Sequence, residues 1–505
     1  MPLPKPQPGG LARLVALLSQ SLPLLPCGAY VVGLRPPGCP FESRPAPHST
    51  SRLPSLVGRV HRAPFGRPRR ARLPRACDIA PCGRSSARAS ASFIYKRSLS
   101  RSPANGNVDT STAGTRGDMD ERTREYLRGR FGDYYRSVSL SLPPDANLRE
   151  WGHIPWTPGS GTTMVRHQSL FDLGDVDTFF ADNAPRHAYF SAARYDNPGA
   201  ATMGQKGWRN ADLVFDLDAD HLPGVDPETT SYPEMLAACK DALLRLLDFI
   251  DDDFAFEDVT VVFSGGRGYH VHVRDESVRE LDSDARREIV DYVRAIDLDT
   301  DDLIRTVSDR GTTKRVLRTE GGWGARVHEE LVNYADNLRE MDEDDARKEL
   351  MELDGIGEGR AQTILGAFDR NPTAVREGNV EAGGPGVRRL VSALAARVAA
   401  TDAAPIDEPV TTDTRRLIRL PGTLHGGSAL VVTPLDRDEL ADFDPLRDAV
   451  PDRFVGREIR IETDADRTVE LNGERVRVES GRNTVPEFAG AFLMARGEAR
   501  KAPER

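Results

Sequence analysis

Cysteine is nearly missing from most of this chain. Of its five cysteines, Cys27, Cys39, Cys77 and Cys82 fall within the first 118 residues, and only Cys239 lies beyond them. A single thiol excludes a disulfide framework there, and the lack of any Cys-x-x-Cys pair excludes the usual zinc element. A reducing, intracellular setting is the expectation. Long apolar runs are missing too. The best stretch, Leu11 to Leu34, is broken by Ser19-Gln20-Ser21, Pro23 and Pro26, which argues against a membrane-spanning helix. Lysine is scarce: only 7 of the 68 basic residues are Lys.

Charge is present in excess of one sign, but unevenly. The first 118 residues carry 18 Lys and Arg against 4 Asp and Glu. With −10 for the whole chain, the net of +14 there leaves −24 for the rest. Such an acidic body resembles proteins of a high-salt cytoplasm, where dense carboxylates keep a protein hydrated. It argues against gross attraction to nucleic acid, so any such contact must rest on local basic and backbone groups.

At 505 residues there is material for more than one domain. Residues 1–118 are rich in Pro, Arg, Ser and Gly without periodicity, a composition that fits disorder. Met119-Asp120-Glu121-Arg122 opens an amphipathic helix with Tyr126, Leu127, Phe131, Tyr134 and Tyr135 on one face. It reads as a natural start, which makes the leader upstream sequence from a misplaced start site. Strands and turns follow from Leu148, including His187 to Tyr195. A helix is expected from Tyr232 to Ile250, mostly helical sequence from Leu281 to Ala399, and strands again from Ile406 through Asp413. The last part is a run of short strands and a helix from Pro486 to Arg496.

The informative stretch is Leu213-Val214-Phe215-Asp216-Leu217-Asp218. Its apolar, β-favouring start reads as a buried strand. Side chains alternate along a strand, so Asp216 and Asp218 share one face. Two such carboxylates repel unless a cation lies between them, and hard oxygen donors suit Mg²⁺ or Mn²⁺. A solvated acidic loop is the plainer alternative. One strand–helix–strand step later comes Ser264-Gly265-Gly266-Arg267-Gly268-Tyr269-His270-Val271-His272. Its glycines let backbone approach a phosphate closely, and Arg267 can fork onto one. His270 and His272 share a strand face. A third cluster combines Asp407 and Asp413 with Arg419, a Pro421-Gly422 turn and His425. Between them, Gly355-Ile356-Gly357-Glu358-Gly359-Arg360-Ala361 resembles a helix-hairpin-helix turn, whose amides can meet a DNA phosphate. A helix C-cap with a tight turn explains the same string structurally.

Together these motifs resemble the small, catalytic subunit of archaeal and eukaryotic DNA primase, in a haloarchaeal form. The residues that carry the resemblance are Phe215 to Asp218, Ser264 to His270, and Asp407 through Leu417-Ile418-Arg419-Leu420-Pro421-Gly422-Thr423-Leu424-His425-Gly426. Arg149-Glu150-Trp151 and Tyr189 to Tyr195 support it. The resemblance implies an α+β (α/β) primase core of mixed sheets flanked by helices. Residues 119–329 and 401–505 would form that core, and 330–400 a helical insertion carrying the hairpin motif.

It also implies roles. Asp216, Asp218 and Asp407 would be the catalytic, metal-binding carboxylates, with Asp413 the weaker candidate for the third. Ser264, Arg267, His270, Arg419, His425 and Arg149 would bind the nucleotide. Gly355, Gly357 and Arg360 would touch DNA. Where relatives can carry a second basic residue, this chain has Gly266. Relatives usually carry a Cys/His zinc element after the aspartates. Here His221 to Lys240 offers only His221 and Cys239, so no zinc is expected.

The expected activity is de novo primer synthesis on single-stranded DNA from nucleoside triphosphates by two-metal transfer, with a large primase subunit and the replication machinery as partners and no membrane. The rival readings are a related polymerase of repair or end joining, a non-catalytic DNA-binding scaffold, and a metal-dependent nuclease.

Overall fold

The computed structural model describes residues 119–158, 163–309 and 312–504, all within one compact unit. The leader expectations, 1–118, lie outside the described residues.

The chain enters through helix α1 (Glu121–Tyr135). Asp120 caps it by accepting from the Thr123 N–H at 3.1 Å, and Glu121 sits at the positive end of its dipole. Leu127, Phe131, Tyr134 and Tyr135 are its buried face, as their spacing predicts.

Two antiparallel sheets follow. The first holds β1 (Arg149–Ile154), β2 (Val165–Gln168), β3 (His187–Tyr195) and β4 (Trp208–Ala211). The chain crosses at Asp212 into the second, with β5 (Leu213–Asp218), β6 (Val259–Phe263) and β7 (Gly268–Val273). Helix α2 (Tyr232–Phe249) connects β5 to β6. It begins at a capping box of Ser231 and Glu234 and buries Met235, Leu236, Cys239, Leu243 and Leu246. β8 (Ile304–Asp309) and β9 (Thr312–Leu317) form a hairpin inside the stretch expected to be mostly helical. Helices α3 (Gly322–Glu340), α4 (Glu343–Glu352), α5 (Glu358–Arg370) and α6 (Gly384–Asp402) span the stretch expected as a helical insertion, 330–400, with α3 beginning before it.

The expected strand at 406–413 is instead a short helix, α7 (Glu408–Thr412). The β-branched Val410, Thr411 and Thr412 favour a strand, but Asp407 at the N-cap and Pro409 in the first turn start a helix. β10 (Leu417–Arg419) then joins the first sheet beside β3, and β11 (Thr433–Leu435) joins the second beside β6. The C-terminal part adds β12 (Glu458–Thr463), a β13 (Arg467–Leu471) to β14 (Glu474–Val478) hairpin, β15 (Gly481–Pro486), helix α8 (Glu487–Ala495) and β16 (Arg500–Lys501). This end closes onto α1. Arg130 Nε lies 2.8 Å from Glu487 Oε1, and the Thr123 hydroxyl accepts from the Lys501 N–H at 2.7 Å.

The two main sheets pack face to face. Ala192 of β3, Val214 of β5 and Ile418 of β10 form a small apolar cluster between them, and the Phe190 ring stacks on that of His272. Leu213, Phe215 and Leu217 point to the other side of the second sheet, over α2. Asp216 and Asp218 therefore face the cleft between the sheets. At the crossing point Asp212 is fully buried and bonded to Arg149 and Arg194, each at 2.8 Å, with Arg274 at 3.5 Å. Among the described residues no helix is long and apolar enough to cross a membrane.

Candidate active site

β5 and β7 pair with Asp216 opposite His270 and Asp218 opposite Gly268. Opposed residues share a face, so the His270 ring stands beside the Asp216 carboxylate, Nε2 to Oδ1 3.4 Å. Asp407 joins them through its backbone. Its N–H donates to the Asp216 carbonyl at 2.8 Å, tying residue 407 to the middle of β5. The Asp407 side chain makes no cap bond to its own helix and lies 3.4 Å from His221 Nδ1. The rival Asp413 is exposed at the other end of α7 and accepts from the Arg415 N–H at 2.8 Å.

The β6–β7 turn forms the facing wall. The Ser264 N–H donates to the Gly268 carbonyl at 2.9 Å, and the Ser264 hydroxyl accepts from the Gly266 N–H at 3.4 Å. Gly265 takes a φ of 75°, and a Cβ there would stand 2.7 Å from His425 Cβ. A Cβ at 266 would stand 3.3 Å from the His425 ring, a tight contact. Arg267 pairs with Asp220. The Asp220 carboxyl is pushed up by burial and by the charge of Asp218, and Arg267 opposes the shift.

The third wall is the turn after β10. The His425 N–H donates to the Leu430 carbonyl at 2.8 Å, and the Ser428 hydroxyl donates to the Gly265 carbonyl, so this turn and the β6–β7 turn touch. Arg419 lies over the Tyr189 ring, and its Nη1 donates to the Tyr189 hydroxyl at 3.1 Å.

The structure thus brings Asp216, Asp218, Asp407, Ser264, Arg267, His270 and His425 together, with Arg419 beside His187, whose ring stands 5.0 Å from that of His425. Arg149 is a correction. Its side chain is fully buried and every guanidinium nitrogen is engaged, with Asp212 and with the carbonyls of Pro144, Ser191 and Ala192. It braces the sheet junction, with four of its five N–H donors committed to these partners. Arg360 lies in the first turn of α5, and Gly355 and Gly357 lie on the exposed turn between α4 and α5. Ile356 anchors that turn inward, and Arg360 Nη1 donates to the Gly355 carbonyl at 2.5 Å. Sequence reasoning missed His187, Tyr189, Asp220 and His221. The first two share a face of β3 by simple alternation, a signal that the sequence does carry.

Hard carboxylate oxygens on β5 and at the start of α7 are a donor set that suits Mg²⁺ or Mn²⁺. Among the described residues, however, no three His, Cys, Asp or Glu side chains are gathered tightly enough to hold one ion. His221 and Cys239 do not meet. His221 stands at the site beside Asp407, while Cys239 is buried beneath β5 with its thiol on the Leu217 carbonyl. Burial, with the charges of Asp218 and Asp216, pushes that thiol well up.

A family model described as DNA primase small subunit matches residues 215–437, from the residue before Asp216 to beyond His425. The chain is 88% identical over 387 residues to a protein named DNA primase small subunit PriS from Halorubrum lacusprofundi, covering 77% of this chain and 100% of that relative. It is 57% identical over 393 residues to a protein of the same name from Haloarcula marismortui, covering 76% and 100%. The relative from Methanococcoides burtonii is 40% identical over 399 residues, with the same coverage.

Proposed function

The chain belongs to the DNA primase small-subunit family, and from that premise we propose how its site joins nucleotides. As a primase catalytic subunit it is a nucleotidyltransferase that makes primers for DNA replication, within a primase complex and on a DNA template. The finer reading is template-directed RNA polymerase activity that starts without a primer on single-stranded DNA.

Two divalent ions, Mg²⁺ or Mn²⁺, would when bound ease deprotonation of a 3′-hydroxyl and offset charge on the departing pyrophosphate. Asp216, Asp218 and Asp407 would hold them. Arg267, Arg419, His270 and His425 offer cationic and N–H donors to the triphosphate tail, in a largely buried site where such contacts are stronger than in water. Ser264 and its turn present backbone and hydroxyl donors to the same tail. Zinc has no place in this reading. We further assign a large primase subunit as partner, a cytoplasm of high salt as the setting, and the Gly355–Arg360 turn as a contact for DNA phosphates.

One observation carries the proposal: the 2.8 Å bond from the Asp407 N–H to the Asp216 carbonyl, which brings a distant acidic residue to the Asp216–Asp218 strand. The test is unprimed synthesis on single-stranded DNA, with and without the large subunit, using ribo- and deoxynucleotides in turn. Metal-dependent products that vanish in Asp407→Ala and persist in Asp413→Ala support it. Synthesis that survives Asp407→Ala overturns the assignment.

A further inference from the structure

The Arg419–His425 side of the cleft is organised by a third residue. His187 opens β3, and its Nδ1 lies 2.8 Å from Arg419 Nη1 and 3.3 Å from the Gly426 backbone nitrogen. Both neighbours are donors only: a guanidinium has no acceptor, and a backbone N–H offers a proton. Nδ1 is therefore the accepting nitrogen, and His187 is neutral with its proton on Nε2. Burial and the adjoining charges of Arg419, His425 and Arg186 hold the imidazole well below its usual range, in agreement with that geometry.

The contact is close on every side. The His425 ring stands edge-on to His187 with centroids 5.0 Å apart. A Cβ at Gly426 would come within 2.9 Å of His187 Nε2 and 2.6 Å of the Arg186 carbonyl, so only glycine lets this turn lie against the ring. Tyr189, on the same strand face, accepts from the same Arg419 nitrogen.

We propose that His187 is a positioning residue for the primase reaction, a neutral acceptor that aims the Arg419 guanidinium and anchors the His425 turn for the triphosphate of an incoming nucleotide. This rests on the reading of Arg419 and His425 as triphosphate ligands. A carboxylate in this place would orient Arg419 equally well, but its charge would cancel the cation and repel the phosphates. A neutral imidazole fixes one contact of the guanidinium and one of the His425 turn, and leaves the positive charge for the ligand. Without it, the order of a long, flexible side chain would have to be imposed by the nucleotide itself, which weakens binding.

The test separates the acceptor from the ring. His187→Phe keeps a ring of similar size and removes the acceptor. His187→Asn keeps an acceptor near the Nδ1 position and removes the ring. Primer synthesis is measured on single-stranded DNA with the full chain and its large subunit, titrating nucleoside triphosphate, with thermal melting as a check on folding. We expect His187→Phe to raise the apparent KM for nucleotide by ~10-fold or more, the loss of about one charge-assisted contact, with kcat within ~3-fold. His187→Asn should return KM to within ~3-fold of the wild type. An unchanged KM in His187→Phe overturns the proposal. So does a His187→Asn protein as impaired as His187→Phe, or a loss confined to kcat. If His187→Phe does not fold, the Asn variant decides alone: a KM near wild type supports the proposal and a raised one overturns it. A wild-type chain that incorporates no nucleotide would instead sink the site reading on which this rests.

Discussion

Asp216 contributes twice, through different atoms. Its carbonyl receives the Asp407 N–H, and its carboxylate faces the cleft beside His270. Asp216→Asn removes only the charge, so the backbone link to Asp407 survives. We expect synthesis to fall by ~10²–10³-fold or more, while the melting temperature of the metal-free protein holds or rises, because repulsion from Asp218 is relieved. Activity assays beside thermal melts check both halves, and a large fall in melting temperature would recast Asp216 as structural. Two buried histidines give a pH prediction at the same scale. His187 and His272 are both held well below the usual range, chiefly by burial, and neither ring nitrogen of His272 has a hydrogen-bond partner among the described residues. An imidazole with a lowered folded pKa adds stability above its unfolded value, near 6.5, and loses it as pH falls toward the folded value. Stability should thus drop below about pH 6.5, by up to ~1.4 kcal/mol per pH unit for each group. Denaturant titrations between pH 7 and 5 should show a shallower drop in His272→Phe, and identical slopes would reject this assignment.

At the scale of elements, strand alternation is the part legible in the sequence. It places Asp216 with Asp218 and His270 with His272 from residue order alone, because a period of two is a local property. α7 departs from the strand expected there because its β-branched residues are a local signal too, and the competing Asp–Pro start prevails. Arg149 departs from its expected role for a different reason. Its partner Asp212 is 63 positions away, and nothing in spacing shows that two charges so separated will be buried together. The structural role predicts a distinct phenotype. Arg149→Ala leaves Asp212 with Arg194 and Arg274 but opens a hole in a dry ion cluster, at a cost of about 3–5 kcal/mol. Urea denaturation should register that loss while the KM for nucleotide stays near wild type, and a raised KM in a stably folded variant would restore Arg149 to the pocket. The insertion turn yields a separate test. If Arg360 meets a phosphate, Arg360→Ala should weaken binding to all DNA sequences alike and lower the salt slope by about 1. An unchanged slope would leave the turn a purely structural hairpin.

At the scale of the whole molecule, charge is the property that the sequence states most openly and the fold uses most selectively. A body of net −24 places Arg267 and Arg419 at the site proposed for an anionic tail. Arginines also pair with carboxylates across the surface, as in Arg437 with Asp251 and Arg347 with Glu343, pairs worth little singly. The unpaired remainder repels itself. That repulsion reaches far at low ionic strength, where the screening length is about 30 Å at 0.01 M, and is nearly gone at 1 M, where it is about 3 Å. Folding confines those charges, so removing salt should destabilise the native state by several kcal/mol, or roughly 10 °C or more in melting temperature. DNA contacts respond in the opposite sense, weakening as salt rises because phosphates hold their counterions more cheaply. Primer synthesis should therefore peak at an intermediate salt, set on one side by the stability of the acidic body and on the other by its grip on template. Melting curves and synthesis rates taken across KCl from about 0.1 to 3 M check this. A melting temperature that is flat or falls with salt would show that the acidic surface carries no cost at low salt, and the high-salt setting would lose its physical support.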